Sequence, residues 1–312
     1  MYYYCTLFDS NYLSRGLAMY DSLKKSSKNF YLYIFAFDDR CYKILTKLKL
    51  EHVKVVSLKE FEDEDLLKIK NTRTKQEYCW TATPSIIKYC IEKYNISHCT
   101  YIDADLYFFK DPSILIEEMG DKSILLTEHR YTPIYDRTKK SGIYCVQFMT
   151  FKNNEEGLKA LNWWRDACLN WCYVRIENGK FGDQKYLDDW PERFKGVHVL
   201  KNIGGGVAPW NIQQYDITKN DFELVFYHFH SVKFLKNNKV DLGRFYLSKK
   251  NIDFLYKPYL KQLLEINNRL NEIEEYDYNG TIKKLTTKEY IINLIRMFLG
   301  IYNIYDLKKL LK

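Results

Sequence analysis

Apolar runs and amphipathic periods alternate along the first part of the chain. Residues 2–8 form a short apolar run that predicts a strand, broken by the polar Asp9-Ser10-Asn11. Residues 15–23 then carry Leu17, Tyr20 and Leu23 at helical spacing. A second apolar run, 30–37, stops at Asp38-Asp39. Residues 41–50 set Ile44, Leu45 and Leu48 on one helical face, and 53–58 predict a third strand. Strands and helices alternating at this length predict parallel β-α-β units. Ligands in such sheets bind outside the carboxyl ends of the strands. Residues 7–11 and 38–40 lie at those ends.

Further on, the charged stretch 61–76 is expected at the surface. Residues 77–94 are apolar at helical spacing through Ile86, Ile87, Cys90 and Ile91, with Pro84 expected to start or kink that helix. Residues 123–127, 142–151 and 223–229 read as strands. Residues 155–173 read as an amphipathic helix whose Trp163, Trp164 and Trp171 belong to a core. From 249 on the chain reads helical, with Leu255, Leu260, Leu263, Leu264, Ile266 and Leu270. The expected architecture is an α/β domain over 1–248 and a helical C-terminal extension over 249–312.

Chemistry concentrates in residues 100–112, a strand-like run that carries Asp103 and Asp105. On a strand, period two sends both side chains to one face. Two like charges in an apolar run repel and lose hydration. A hard divalent cation, Mn²⁺ or Mg²⁺, compensates them. The plainer reading is a pair of acids at a strand end, matched by Lys or Arg. Two polar islands follow. In one, Asp183 and Gln184 stand after Gly182, where the simplest alternative is a helix N-cap. The other has three consecutive glycines, 204–206, before Pro209-Trp210. It has neither the spacing nor the Lys-Ser/Thr of a P-loop.

Composition narrows the partners. With 312 residues and 46% hydrophobic content, the chain can bury one large core with an appendage. The formal charge of +8 admits anionic partners. Basic residues interleave with acids throughout, which argues against nucleic acid. Residues 249–312 hold 12 Lys and Arg against 8 Asp and Glu and mix them with Ile, Leu, Phe and Tyr. They read as a helix pair on the main domain or as a basic helix at a membrane surface. The 8 Cys show no Cys-x-x-Cys spacing, as expected of reduced thiols. No apolar run reaches the roughly 20 residues that cross a bilayer. The expected location is the cytoplasm, with the tail able to rest on the inner face of the membrane.

The segment 101–112, Tyr-Ile-Asp-Ala-Asp-Leu-Tyr-Phe-Phe-Lys-Asp-Pro, resembles the metal-binding Asp-x-Asp segment of GT-A nucleotide-sugar glycosyltransferases. The surrounding order also resembles glycosyltransferase family 8 and bacterial transferases related to it. It runs through Leu7-Phe-Asp-Ser-Asn-Tyr, Glu77-Tyr-Cys-Trp-Thr, Phe181-Gly-Asp-Gln-Lys-Tyr-Leu, Val207-Ala-Pro-Trp-Asn and Tyr227-His-Phe-His. The resemblance covers about residues 1–248. It implies a GT-A, Rossmann-like, mainly parallel sheet flanked by helices. It also implies transfer from a nucleotide-diphosphate sugar, a UDP-sugar in the first instance, to a glycan or lipid-linked acceptor, with retention. Asp103, Asp105 and His228 would bind the metal. Family 8 usually follows that His with Gly and then Lys-Pro-Trp. Here the order is His228-Phe-His-Ser-Val-Lys-Phe, so His230 competes for the role. Leu7, Asp9 and Asp38 would line the nucleotide pocket. Ala104, Arg15, Arg73 and Lys233 would lie near the donor, and Asp183 and Gln184 would serve the sugar or the acceptor. The rival readings are a nucleotidyltransferase of similar architecture and an inactive nucleotide-sugar-binding protein. The first normally has a glycine-rich loop after strand one, and residues 8–13 contain no glycine.

Overall fold

A computed structural model of the chain describes residues 1–219, 222–282, 284 and 286–312. Strands β1 (Tyr2–Phe8), β2 (Phe30–Ala36) and β3 (Val53–Ser57) pair in parallel, and β4 (His98–Ile102) joins the other side of β1 in parallel. A short strand, β5 (Leu106–Phe108), leaves this sheet. Beyond β4 the large sheet continues through β7 (Tyr144–Lys152), antiparallel to both β4 and β6 (Ile124–Glu128). It closes with β8 (Val197–Val199), parallel to β6. The order is therefore β3-β2-β1-β4-β7-β6-β8. The structure bears out the expected α/β class with a mainly parallel central sheet.

Alternate side chains of each strand feed two cores. Tyr4, Leu32, Ile34, Ile102 and Phe148 face one layer, and Cys5, Leu7, Tyr33, Phe35, Cys99, Tyr101 and Met149 face the other. Helix α1 (Leu13–Ser26) buries Leu17 and Leu23 in the first, and α2 (Asp39–Leu48) adds Ile44 and Leu45. Helices α3 (Lys75–Tyr94) and α4 (Glu155–Asn170) cover the second with Ile86, Ile87, Leu161 and Trp164. Helix α3 starts well before Pro84, not at it. Thr74 and Glu77 form a reciprocal capping box that satisfies the first free N–H groups and sets the start, and Pro84 lies inside the helix.

The chain beyond 249 does not stand apart. Helix α5 (Lys257–Asn271) and the turn before it bury Leu255, Tyr256, Tyr259, Leu260, Leu263, Ile266 and Leu270 in the same core as β1 and α1. Strand β12 (Ile304–Asp306) pairs with β11 (Lys239–Asp241), which pairs in turn with β10 (Lys233–Leu235). Between them lies α6 (Thr287–Phe298).

One local expectation is corrected. Asp103 and Asp105 lie not on a strand but in the turn after β4, where the Leu106 N–H donates to the Asp103 carbonyl at 3.2 Å. The chain turns because β5 pairs antiparallel with β9 (Phe226–His228).

Candidate functional site

The β5–β9 pairing decides the geometry. Its register sets Leu106 opposite His228, so His228 stands beside Asp105. The His228 Nε2 atom is 3.0 Å from Asp105 Oδ1 and 3.7 Å from Asp103 Oδ2. Ligand atoms of all three residues lie within 4.8 Å of one another. The Tyr101 hydroxyl donates to Asp103 Oδ1 at 2.8 Å. On the far side of the imidazole, His228 Nδ1–H donates to Gln147 Oε1 at 2.7 Å. Gln147 lies on β7 and is fully buried. Its own carbonyl accepts the Asp103 N–H at 3.0 Å. With one proton fixed on Nδ1, Nε2 is the atom that faces the carboxylates, where it carries a proton or, with the ring neutral, can bind a metal.

Electrostatics point the same way. Burial raises the Asp103 carboxyl above its ordinary value, and the Asp105 charge adds to that. Asp105 is held down to about 2: burial opposes this, but the adjoining His228 outweighs it. Burial also works against a charged His228, yet the Asp105 carboxylate holds its pKa well above the usual range. A proton on His228 thus partly balances two carboxylates. A divalent cation in its place, with a neutral His228, would bring the group to zero net charge. One nitrogen and several carboxylate oxygens suit a hard divalent ion, so these residues fit Mn²⁺ or Mg²⁺. His230 is outside the group: its exposed ring meets Trp210 and His228 edge-on, each at 5.4 Å between centroids. The other group with metal-ligand spacing among the described residues, Cys5, Cys90 and Cys99, is sealed in the core.

Asp183 is brought toward the carboxylate pair. It is buried, its side chain makes no capping bond, and its carbonyl accepts the Trp164 indole N–H at 2.9 Å. Burial, then the nearby Asp103 charge, push its carboxyl up to about 8. Gly182, at φ +55°, precedes it, and a Cβ there would come 3.1 Å from the Trp80 ring. Gln184 turns away, its amide donating to the Ser141 carbonyl at 2.6 Å. Lys185 donates to the Thr138 carbonyl nearby, so this turn ties down residues 138–141.

At the other end of the site, Leu7 closes β1 in the core and Ala104 is buried between the two acids. Asp9 accepts the Asn11 N–H at 3.0 Å. Asp38 accepts from Ser10 Oγ at 2.6 Å and from the Cys41 N–H at 2.7 Å. Although burial opposes it, these bonds hold the Asp38 carboxyl below its ordinary value. Both acids thus fix the loop after β1. Arg15 is buried and donates to the carbonyls of Val232 and Asn279, each at 3.0 Å. Lys233 is exposed at the start of β10. Arg73 is held elsewhere: its guanidinium donates to the Tyr173 hydroxyl and the Leu169 carbonyl and stacks 3.9 Å over the Tyr173 ring.

Sequence reasoning missed Gln147 and the C-terminal supports. A lone amide inside the apolar run 144–151 was the available signal for Gln147. Nothing local signalled that the Tyr276 hydroxyl donates to Asn11 Oδ1 at 2.9 Å, or that Ser14 Oγ donates to Asn279 Oδ1 at 2.6 Å.

No family model matches the chain. The uncharacterized protein YfnD of Bacillus subtilis (strain 168) is 34% identical over 278 residues, 84% of this chain and 88% of that protein. The chain belongs to the YfnD family. The uncharacterized protein YfnF of the same organism is 29% identical over 297 residues, 90% of this chain and 97% of its own length. Among solved structures, this YfnD-family chain is similar to the galactosyltransferase LgtC, in complex with donor and acceptor sugar analogs. The TM-score is 0.52 at 10% identity, over 84% of this chain and 95% of that one. Similarity to the glycosyltransferase GlyE of Streptococcus pneumoniae TIGR4 has a TM-score of 0.51 at 12% identity, over 87% of this chain and 62% of GlyE. The bifunctional WbbM gives 0.53 at 12%, over 86% of this chain and 51% of WbbM. The YfnD-family fold is therefore GT-A.

Proposed function

We propose that this YfnD-family chain is a metal-dependent glycosyltransferase. It would move a sugar from a nucleotide-diphosphate donor, a UDP-sugar in the first instance, to a hydroxyl of a glycan or lipid-linked acceptor, with retention. The observation that supports this reading best is the convergence of Asp103, Asp105 and His228 Nε2 on a GT-A frame. Mn²⁺ or Mg²⁺ held by these residues would supply positive charge to the departing diphosphate. The chain's own residues do the rest. Gln147 orients His228, and Tyr101 orients Asp103. Asp9 and Asp38 hold the nucleotide-side loop in one shape. Asp183, with its carboxyl pushed up to about 8, keeps its proton at neutral pH. It donates a hydrogen bond to a sugar or acceptor hydroxyl and is no general base. Without a base, the leaving phosphate oxygen takes the acceptor proton on the same face, which favours retention. Gln184 holds the 138–141 segment, beside which a cavity of about 380 Å³ lined by Arg130, Tyr131 and Thr138 offers space for the acceptor.

A panel of nucleotide sugars, scored for hydrolysis and thermal stabilisation with and without Mn²⁺, tests the reading. One donor is expected to respond, and Asp105→Asn should abolish the response. Full activity in excess chelator would overturn it. Proton NMR of the first product is expected to give the anomeric coupling of the donor. An inverted product would make Asp183 a base instead.

A further inference from the structure

Helix α6 is amphipathic the wrong way round for a globular protein. An ordinary surface helix turns its apolar stripe inward. In α6 the polar side faces in. Arg296 is buried and forms a two-pronged pair with Asp241, at 2.8 and 2.7 Å, while Asn293 Oδ1 accepts a further Arg296 N–H at 2.9 Å. Asn303, just beyond the helix, donates to the Phe245 carbonyl at 2.7 Å. The outward side carries Ile291, Leu294, Ile295, Met297 and Phe298, with Leu294 67% and Phe298 92% exposed. None of these five belongs to a core cluster among the described residues. A contiguous exposed apolar patch of this kind marks an interaction surface.

We infer that α6 is a membrane seat: it lies flat in the interface of an anionic lipid surface, apolar side down. Charge selects this occupant. Lys288 opens the helix. Glu289 is held down first by the Thr286 N–H, and also by Lys233 and Arg244, which therefore stand near the first turn. The whole chain carries +8. Anionic lipid complements that charge, whereas a second copy of the chain would repeat it. Area argues likewise. Twelve residues rise about 18 Å on a cylinder about 10 Å wide, too small for the roughly 800 Å² per partner of a stable protein interface. The helix is also too short to cross a bilayer, and no helix among the described residues is long and apolar enough to do so. Apolar residues bordered by cations are what an interfacial helix needs.

The seat is coupled to the candidate site. Arg296 grips Asp241, which pairs with Lys233 across β10 and β11, five residues after His228. A lipid-borne acceptor would then be held on the part of the molecule that the β10–β11 pair joins to His228. That consequence rests on the glycosyl-transfer reading, but the membrane seat does not.

The full chain is therefore mixed with vesicles of phosphatidylcholine alone, or of phosphatidylcholine with phosphatidylglycerol, and sedimented at low and high salt. Binding is expected only to the anionic vesicles, weakening as salt rises. Leu294→Glu and Phe298→Glu should each lower partitioning by about tenfold or more. Their melting temperatures should stay unchanged, because both side chains already face water. Equal binding to neutral vesicles, no binding at all, or wild-type binding by the double variant would overturn the proposal. So would a dimer in sedimentation velocity that the double variant dissolves while vesicles stay bare, since the face would then be a self-interface.

Discussion

Gln147 gives His228 its direction, and its removal isolates that effect. Gln147→Ala should leave the two carboxylates in place and free the imidazole to rotate. Mn²⁺ affinity, read by electron paramagnetic resonance, is expected to fall about 10- to 100-fold. An unchanged affinity would mean that packing alone aims His228. Asp183 makes a different prediction, from its raised pKa. The folded chain keeps this proton up to about pH 8, while the unfolded chain releases it near pH 4. The unfolded state therefore binds fewer protons between those values, and stability falls as pH rises through that window. The loss is at most about 6 kcal/mol. Asp183→Asn should melt higher than wild type at pH 8 and converge with it near pH 4, in metal-free protein. Parallel melting profiles would refute the assigned shift. At this scale the acids were legible because an apolar run cannot hold two carboxylates without a reason. Which histidine stands beside Asp105 was not legible, because the β5–β9 register places His228 there.

Elements were read well where one period ran unopposed, as in β1, β2, α1 and α2. A capping box ten residues upstream of Pro84 starts α3, close to residue 77 where the helical spacing begins, and the proline lies inside the helix. One misreading has a physical cause. The Asp-x-Asp run looked like strand, but its central residues turn so that β5 can pair with a segment over 100 residues away. Sequence periodicity sees only local partners. The C-terminal region needs the same care. Its helical character was legible, but which helices are buried depends on what they meet. Ending the chain after Asn251 would strip Leu255, Tyr256, Leu260, Leu263 and Leu270 from the main core. Each buried Leu lost costs about 2–5 kcal/mol. Circular dichroism is expected to show no cooperative melt for that truncation. A sharp native-like transition would mean that the region is an independent appendage.

For the whole molecule, the decisive feature is that the end of the chain supports its beginning. Gly280, at φ +62°, lies where an added Cβ would sit 3.1 Å from the Asn11 carbonyl oxygen. Gly280→Val would strain its own backbone and press on the loop that carries Asp9 and Asn11. The expected result is a several-fold rise in donor KM at nearly constant kcat, with Mn²⁺ affinity unchanged. A wild-type KM would detach this contact from the donor side. No local pattern forecasts the contact, since Tyr276 and Asn11 are 265 residues apart.

The same contact has a consequence in time. On the ribosome, the loop after β1 emerges long before Tyr276 and Asn279 are made, and Val232, whose carbonyl also holds Arg15, comes between them. Until then the nascent chain carries Asn11 and Ser14 without their C-terminal partners. The C-terminal contacts to the loop form only after residue 280 has cleared the exit tunnel. Any chain cut short before then, by a stop codon or a protease, lacks these contacts whatever the state of its sheet.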